Sequence, residues 1–470
     1  MIPKAAKEKL TAIAGIDQYD DSNAVRLVYS YDATPNFQSL PDAVISPRNT
    51  GEVSEIVKVC SEYSIPIVPR GSGTNLCAGT SPTEGGLVIL FKHMNRILDL
   101  DEENLAITVQ PGLVTLDLIR EAEAKGLFYP PDPSSMKIST IGGNINENSG
   151  GLRGLKYGVT RDYVMGLEVV LANGDVIRTG GKLAKDVAGY DFTRLFTGSE
   201  GTLGIITEAT LKLIPMPETK KTMLALYQDL EAAAKTVSKI IANKIIPATL
   251  EFLDQPTLEV VEEFAQIGLP TDVKAVLLIE QDGPREVVER DMAKMENICR
   301  EESAVSVQVA KTASEAEALT AARRAALSAL ARLKPTTILE DATVPRSEIA
   351  NMVRSINEIA SKYDLKICTF GHAGDGNLHP TCPTDARNKE EMERVENAFA
   401  EIFAKAIELG GTITGEHGVG VMKAPYLELK LGSEGIAAMQ AVKAALDPKN
   451  IMNPGKIFAK DSRKRVVVSK

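Results

Sequence analysis

The stretch RGSGTNLCAGT, residues 70–80, is rich in glycine and serine and follows a short β-rich segment, IPIVP, at residues 65–69. Gly71 and Gly73 match the start of the GxGxxG dinucleotide fingerprint, but Leu76 replaces its third glycine and no amphipathic helix follows. The stretch also lacks the Gly-Lys-Ser/Thr ending of a Walker A loop. It predicts a strand followed by a loop of accessible backbone N–H groups, which either binds a pyrophosphate or is a plain turn.

Three further segments in the same half of the chain are rich in glycine, serine and asparagine. They are PPDPSS (130–135), STIGGNINENSGGLRGLKYG (139–158) and LFTGSEGTLGIITEATLKLIP (195–215). Small residues allow a backbone to approach a bound molecule closely. Four such loops in one region therefore indicate a backbone packed around a large ligand.

The composition argues against several classes of protein. The 470 residues include 53 lysines and arginines and 63 aspartates and glutamates, a formal net charge of −10, which disfavours a nucleic-acid or anionic membrane surface. The N-terminus lacks the apolar core of a signal peptide, and no apolar run approaches the roughly 18 residues of a membrane helix. We therefore expect a cytoplasmic protein without a transmembrane segment. The five cysteines form no CxxC pair, so neither disulfides nor an iron–sulfur cluster are predicted.

The hydrophobic patterns predict two α+β domains. A helix is expected over residues 50–63, and an Asn173-Gly174 turn predicts a β-hairpin. Two prolines and a charge cluster at residues 214–221 indicate a linker, and an alanine-rich segment at 314–333 favours a second helix. The predicted organisation is a ligand-binding domain at 1–217, a second domain at 218–449, and a turn-rich C-terminal segment at 450–470.

The segment FGHAGDGNLHP, residues 370–380, contains two of the four histidines in the chain. If Asp375 and Gly376 form the centre of a two-residue hairpin, His372 pairs directly with His379 and their Cβ atoms lie about 4.5–5.5 Å apart. Two imidazoles at this spacing could bind one metal ion, or they could be a pair that is exposed or packed together. The segment GEHGVG, residues 415–420, adds a glutamate and a histidine on a glycine-flanked loop.

Arg323 and Arg324 are adjacent on the alanine-rich predicted helix. Their side chains point about 100° apart, so we expect only one of them to face a pocket. A guanidinium group is a suitable partner for a substrate carboxylate because it donates two parallel hydrogen bonds. Helical periodicity does not choose between the two.

Together, these motifs resemble those of the FAD-linked glycolate oxidase GlcD subunit and D-lactate dehydrogenase family, within the vanillyl-alcohol oxidase type of flavoproteins. The resemblance covers nearly the whole chain in family order. It implies an α+β fold of two domains, an FAD-binding domain and a substrate (cap) domain, with the C-terminal segment returning to the FAD domain. It also implies FAD contacts by residues of four segments: Pro69, Arg70, Gly71, Ser72, Gly73, Thr74, Asn75, Pro131, Asp132, Pro133, Ser135, Gly142, Gly143, Asn144, Asn148, Ser149, Gly151, Gly201, Gly204, Ile206 and Asn453.

The same resemblance assigns roles to the polar residues of the second half of the chain. It implies a divalent metal (zinc, iron or manganese) bound by His372, His379 and Glu416, with His417 as the catalytic base. It places the substrate arginine at Arg323. Relatives that bind flavin covalently use a histidine, often in the pyrophosphate loop, and residues 69–80 contain none, so the FAD is expected to be non-covalent.

The implied function is FAD-dependent oxidation of a small 2-hydroxy acid, glycolate or D-lactate, to the 2-oxo acid by hydride transfer to flavin N5. Because the chain lacks an iron–sulfur ligand set, the electrons are expected to pass to an iron–sulfur subunit or an electron-transferring flavoprotein. The alternatives are an oxygen-using oxidase and a non-catalytic flavin-binding subunit of a larger complex. The second alternative fits less well because the set of histidines and Glu416 is retained.

Overall fold

The structure of the protein, a computed structural model, describes residues 1–266 and 268–458. These residues divide into two compact units with separate sheets and cores. Unit 1 consists of residues 1–149, 159–216 and 416–458, and unit 2 of residues 150–158 and 217–415. Of the predicted C-terminal segment, residues 459–470 lie outside the described residues.

The compact units differ from the predicted domain ranges at two places. Residues 150–158 belong to unit 2, where Lys156 Nζ is bonded to the backbone oxygen of Asp282 at 2.5 Å. Residues 416–449 belong to unit 1, where the backbone N–H of Val421 donates to the carbonyl of Cys77 at 2.9 Å. Both differences arise from contacts between residues far apart in sequence, which local composition does not record.

The helices alternate with strands along most of the chain. They are α1 (Lys4–Ala14), α2 (Asn23–Val28), α3 (Thr50–Tyr63), α4 (Thr115–Glu123), α5 (Ile141–Glu147), α6 (Gly154–Tyr157), α7 (Phe192–Phe196), α8 (Leu230–Ala242), α9 (Gln255–Ala265), α10 (Arg285–Glu301), α11 (Ala313–Arg324), α12 (Ala326–Leu330), α13 (Ile349–Lys362), α14 (Lys389–Glu408) and α15 (Leu427–Leu446).

The strands form separate sheets in the two units. They are β1 (Tyr19–Asp20), β2 (Ala43–Ile45), β3 (Ile67–Arg70), β4 (Leu87–Leu90), β5 (Ile97–Asp101), β6 (Ala106–Val109), β7 (Leu127–Phe128), β8 (Val164–Val170), β9 (Val176–Gly180), β10 (Ile205–Lys212), β11 (Ile214–Pro215), β12 (Thr219–Tyr227), β13 (Thr249–Asp254), β14 (Ala275–Gly283), β15 (Ser306–Val309), β16 (Thr336–Leu339), β17 (Ala342–Thr343), β18 (Cys368–His372) and β19 (Asn377–Thr384).

Unit 1 contains a small mixed sheet and a larger antiparallel sheet. In the mixed sheet, ordered β1-β2-β4-β3, the last three strands are parallel and bury continuous apolar runs beneath α1 and α3. The antiparallel sheet has the order β5-β6-β10-β8-β9, and β11 pairs separately with β7. Strands buried on both faces read as unbroken hydrophobic segments, which explains the sequences AVI and LVIL.

Unit 2 is built on one antiparallel sheet with the order β15-β12-β14-β13-β18-β19-β16, and β17 also pairs with β19. Its hydrophobic core packs β12, β13 and β14 against α9 and α12. Two adjacent strands near the middle of this sheet, β13 and β18, are buried along their whole length. Polar side chains on these two strands therefore need partners inside the protein.

Several local predictions are confirmed. The predicted helix at 50–63 is α3, and Asn49 caps it by accepting a hydrogen bond from the Glu52 N–H at 3.0 Å. The Asn173-Gly174 hairpin joins β8 to β9. The alanine-rich segment at 314–333 forms two helices, α11 and α12, instead of one.

Asp254 joins β13 to β18 and begins helix α9. Its carboxylate accepts hydrogen bonds from the Thr257 N–H at 3.0 Å, the Thr257 hydroxyl at 2.6 Å and the Thr369 N–H at 2.7 Å. Burial raises the pKa of Asp254 to about 6, and the hydrogen bonds offset this only in part. The protonated form is therefore favoured more in the folded protein than in the unfolded chain, where the ordinary pKa is 3.8.

The raised pKa of Asp254 predicts a pH dependence of stability. Between pH 4 and 6 the folded protein binds more protons at this site than the unfolded chain, so the free energy of unfolding falls as the pH rises. From pH 4.5 to 7 this contribution amounts to about 2 kcal/mol. Denaturant unfolding at both pH values should show Asp254→Asn losing this part of the pH dependence. An identical pH dependence in the variant would contradict the assignment.

Candidate active site

A cleft of about 490 Å³ lies in unit 1, where the parallel strands β3 and β4 end. Ligands of open α/β sheets bind at the carboxyl ends of parallel strands, because backbone groups are exposed there. The cleft is lined by Pro69, Arg70, Gly71, Gly79, Thr80, Phe91, Pro111, Thr140, Gly142, Gly143, Asn146, Glu147, Glu200, Gly201, Ile205, Ile206 and Asn453. Three of the four glycine-rich loops and the C-terminal segment thus contribute to one cavity.

The lining agrees only in part with the predicted cofactor residues. Eight of them line the cleft: Pro69, Arg70, Gly71, Gly142, Gly143, Gly201, Ile206 and Asn453. The other predicted residues lie outside this lining: Ser72, Gly73, Thr74, Asn75, Pro131, Asp132, Pro133, Ser135, Asn144, Asn148, Ser149, Gly151 and Gly204. Of these, Gly151 belongs to unit 2.

Sequence reasoning missed several residues that line the cleft. Asn146, Glu147 and Glu200 lie in the glycine-rich segments at 139–158 and 195–215, so their polar side chains were the available signal. Phe91 and Pro111 lie outside those loops, and nothing in the local pattern distinguishes them from other apolar residues.

Two glycines of the cleft could not carry a side chain. A Cβ atom on Gly71 would lie 2.1 Å from Thr140 Oγ1. A Cβ atom on Gly201 would lie 2.6 Å from Pro69 Cγ, and the φ of +69° at Gly201 is already in the left-handed region. At these positions the loops therefore pack against each other without a side chain on the glycine. The backbone N–H and C=O groups there can approach a ligand in the cleft closely.

In unit 2, His372 and His379 are both buried on the hairpin of β18 and β19. The predicted hairpin is confirmed, but the predicted register is wrong, since His372 pairs with Asn377 and His379 pairs with Phe370. Four residues, 373–376, connect the strands instead of two. The two histidines are now diagonal neighbours on one face, and their ring centroids lie 5.1 Å apart at 90°.

Glu251, on β13, is the central residue of this cluster and was not predicted. It is fully buried, and its Oε1 atom lies 2.7 Å from His372 Nδ1. Its Oε2 atom forms an ion pair with Arg323 Nη2 at 2.6 Å. Burial alone would raise the pKa of Glu251, but the adjacent His372 and Arg323 outweigh burial, so this pKa lies below its ordinary value.

The two adjacent arginines are in different environments. Arg323 is 4% exposed and its guanidinium carbon lies 4.7 Å from the centroid of the Phe370 ring, whereas Arg324 is half-buried. Within the described part of the chain, Arg323 Nε has no hydrogen-bond partner. A buried donor without a partner is energetically costly, so this nitrogen is suited to receive an anionic ligand.

Glu416 and His417 lie in unit 1, at the start of its third segment. Their side chains are 17% and 11% exposed, and Glu416 Oε1 lies 4.0 Å from His417 Nε2. Both residues belong to a loop at residues 416–420. Its two glycines, Gly418 and Gly420, adopt φ values of +82° and +49°.

Comparison with known proteins identifies the family. Residues 41–180 match the FAD binding domain, and residues 216–457 match the C-terminal domain of FAD linked oxidases. The chain is 77% identical over 470 residues, all of both chains, to Glycolate oxidase subunit GlcD of Bacillus subtilis (strain 168). It is 38% identical over 430 residues, 89% of this chain and 90% of the relative, to D-lactate dehydrogenase of Anaerostipes hadrus.

The chain belongs to the FAD-linked oxidase family of GlcD and D-lactate dehydrogenase. It is an FAD-dependent oxidoreductase. The predicted family is therefore confirmed.

Solved structures confirm the predicted fold class. Substrate-bound p-cresol methylhydroxylase matches with a TM-score of 0.80, covering 97% of this chain and 96% of that one. A 4-ethylphenol oxidase from Gulosibacter chungangensis matches with a TM-score of 0.78, covering 97% of both chains. At 19% identity these matches concern the fold alone, the α+β flavoprotein fold of the vanillyl-alcohol oxidase type.

The cleft of this FAD-linked oxidase fits its cofactor. Two residues that line it, Arg70 and Thr140, each have a buried polar atom, Nη1 and Oγ1, that has no hydrogen-bond partner among the described residues. Burial lowers the pKa of Arg70, which reflects the cost of a guanidinium group removed from water. The pyrophosphate of FAD is an anion that would compensate this charge, and the bare glycine backbone allows it to approach.

No helix in the described ranges, 1–266 and 268–458, is both long and apolar enough to cross a bilayer.

The close packing around Gly201 predicts that Gly201→Ala loses FAD. The new methyl group would collide with Pro69 and move the loop that lines the cleft. Gly126→Ala is a matched control, because Gly126 has the same φ of +69° but no atom within 4 Å of the added Cβ. Both variants should lose about 1–2 kcal/mol through backbone strain, but only Gly201→Ala should lose flavin absorbance. Equal FAD content in both purified variants would contradict the role of the cleft.

Proposed function

We propose that this oxidoreductase oxidises a small 2-hydroxy acid, glycolate or D-lactate, to the corresponding 2-oxo acid. The names of the relatives, glycolate oxidase subunit and D-lactate dehydrogenase, support this substrate class. FAD, when bound, supplies the two-electron acceptor at flavin N5. The absence of histidine at residues 69–80 favours FAD bound without a covalent link.

The observation that carries the proposal is the buried polar cluster of unit 2. It combines two imidazoles, His372 and His379, with a guanidinium group whose Nε donor has no partner among the residues described. A 2-hydroxy acid presents a carboxylate and a hydroxyl on adjacent carbons. In this proposal Arg323 binds the carboxylate through charge-assisted hydrogen bonds, and Arg324 does not contact the substrate.

A divalent metal, zinc, iron or manganese, is proposed to bind His372, His379 and Glu416. Two imidazoles and a carboxylate form a common ligand set for such ions, and the contact of His372 Nδ1 with Glu251 leaves Nε2 as the ligand atom. When bound, the ion would polarise the substrate hydroxyl and lower its pKa.

His417 is proposed to act as the general base. Its imidazole accepts the proton of the 2-hydroxyl group while the hydrogen on C2 leaves with its electron pair. The products are then the 2-oxo acid, a protonated His417 and the two-electron-reduced cofactor, so atoms and electrons balance. Loss of the hydroxyl proton makes C2 a better hydride donor. Only a neutral imidazole can accept that proton, so the base must be neutral.

The electrons are proposed to leave to a partner, either an iron–sulfur protein or an electron-transferring flavoprotein. The relative's designation as a subunit supports an assembly of several chains. All five cysteines of this chain are buried and lie outside any disulfide, and their positions supply no ligand set for an iron–sulfur cluster of its own.

Anaerobic mixing with a panel of 2-hydroxy acids tests the function. Glycolate or D-lactate should bleach the flavin absorbance, and L-lactate serves as the stereochemical control. In air, peroxide formed in a one-to-one ratio with product would favour an oxygen-using oxidase instead. Flavin that none of the acids reduces would overturn the proposed reaction and favour a non-catalytic flavin-binding subunit.

The same assay tests His417. We expect His417→Gln to keep FAD and metal while flavin reduction slows by about 10²–10⁴-fold. A variant that reduces flavin at the wild-type rate in a single turnover would show that the base lies elsewhere.

Metal analysis tests the proposed ligands separately. His372→Ala and His379→Ala should lose bound metal and turnover but keep FAD, because the cleft is built from residues of unit 1. His93→Ala is the control, since His93 is exposed and contacts Gln18. Elemental analysis and flavin absorbance on the same sample decide the outcome, and normal metal content in both cluster variants would exclude this site.

A further inference from the structure

Glu200 connects the FAD cleft of unit 1 to the 416–420 loop that carries Glu416 and His417. Its side chain is buried and lines the cleft. One carboxylate oxygen accepts a hydrogen bond from the Val419 N–H and the other from the Gly420 N–H, both at 2.7 Å. These two donors lie two and three residues after the proposed base in sequence. A single carboxylate therefore holds two consecutive peptide groups of the loop.

The backbone of Glu200 is held as firmly as its side chain. Its N–H donates to the Asn146 carbonyl at 2.9 Å, and its carbonyl accepts from Asn453 Nδ2 at 2.7 Å. The φ of Glu200 is +53°, a left-handed conformation that favours glycine. A non-glycine residue in this conformation carries backbone strain, which persists only where the surrounding structure compensates for it. The two hydrogen bonds of the carboxylate provide such compensation.

The loop itself fits closely into its surroundings. A Cβ atom on Gly418 would lie 2.2 Å from Glu147 Oε2, and one on Gly420 would lie 2.0 Å from the Cys77 carbonyl oxygen. The Gly420 carbonyl accepts a hydrogen bond from the Ile457 N–H at 2.8 Å. The loop thus has contacts on several sides within unit 1, and the Glu200 carboxylate accepts two of its hydrogen bonds.

The neighbouring carboxyl group of Glu147 is the more easily protonated member of this pair. Burial, followed by the charge of Glu200, raises the pKa of Glu147 well above its ordinary value. Burial also raises the pKa of Glu200, but the Val419 and Gly420 N–H groups lower it in part. Two adjacent ionised carboxylates in this buried position would repel each other.

We infer that Glu200 is a positioning residue that fixes the 416–420 loop, and with it His417, beside the FAD cleft. This inference rests on the proposed function, since His417 is the base only in that reaction. Glu200 itself takes no part in proton or hydride transfer. Its effect on the rate arises from the orientation of the loop.

The test compares Glu200→Gln with a matched control, Glu168→Gln. Glu168 is a buried glutamate of the same unit whose carboxylate accepts hydrogen bonds from Thr50 and Thr207. In Glu200→Gln the amide nitrogen replaces one acceptor oxygen, so one of the two loop N–H groups loses its partner. Hydrogen–deuterium exchange of the FAD-loaded proteins measures the loop directly, and anaerobic flavin reduction by glycolate and D-lactate measures its consequence.

In Glu200→Gln we expect retained FAD, at least about tenfold faster exchange of the Val419 and Gly420 amides, and about ten- to hundredfold slower flavin reduction. The limiting rate of flavin reduction should fall, while the substrate concentration that gives half of that rate should stay near the wild-type value, because Arg323 is unchanged. The control should match the wild type in all three measurements. Wild-type exchange at these amides in Glu200→Gln would overturn the inference, as would slower reduction with unchanged exchange.

A second variant separates positioning from stability. Glu200→Gly removes the carboxylate but relieves the strain at φ +53°, so its melting temperature should not fall with the reduction rate. A rate loss that follows melting temperature across the variants would indicate a merely structural role and overturn the inference. If wild-type flavin is not reduced by any 2-hydroxy acid, the proposed function fails, yet the exchange data still decide whether Glu200 holds the loop.

Discussion

A carboxylate without solvent contact is stable only when positive groups or hydrogen-bond donors surround it, and Glu251 meets this condition through Arg323 and His372. The three residues come from β13, α11 and β18. Their mutual charge compensation determines which of the adjacent arginines is buried and how the His372 ring is oriented. The polar cluster of unit 2, and every function proposed for it, depends on this buried carboxylate.

Unit 1 contains a related problem with a different solution. Glu200 is buried and Glu147 is half-buried at the cleft, and the positive charge of Lys423 acts on both carboxyl groups. Backbone N–H groups also stabilise the Glu200 carboxylate, whereas the raised pKa of Glu147 favours its protonated form. The choice between a charged partner and backbone donors matters for function, since backbone donors tie the charge to a loop. The Glu200 carboxylate is stabilised by the 416–420 loop and at the same time fixes the position of that loop.

The candidate sites of the two units also differ in the groups that they offer to small molecules. The FAD cleft is lined largely by glycine, proline and backbone groups, which allow close approach to a large cofactor. The cluster of unit 2 uses long charged side chains, which suit recognition of a small anion with few atoms. Redox chemistry resides in the cofactor, and the protein contributes position, charge and a proton acceptor.

The sequence by itself determined the elements whose signals are local: helix α3, the β8–β9 hairpin, the glycine-rich loops and the pairing of β18 with β19. It also carried the family resemblance, because long motifs in a constant order survive in the linear chain. The predicted register of the β18–β19 hairpin was wrong, because a two-residue and a four-residue connection both leave the same residues near the turn. Only the tertiary structure decided that Arg323 is buried and that Glu251 and Glu200 hold the site residues. Glu251 contacts a residue 121 positions away and Glu200 one 219 positions away, and such pairings leave no periodic or spacing signal in the sequence.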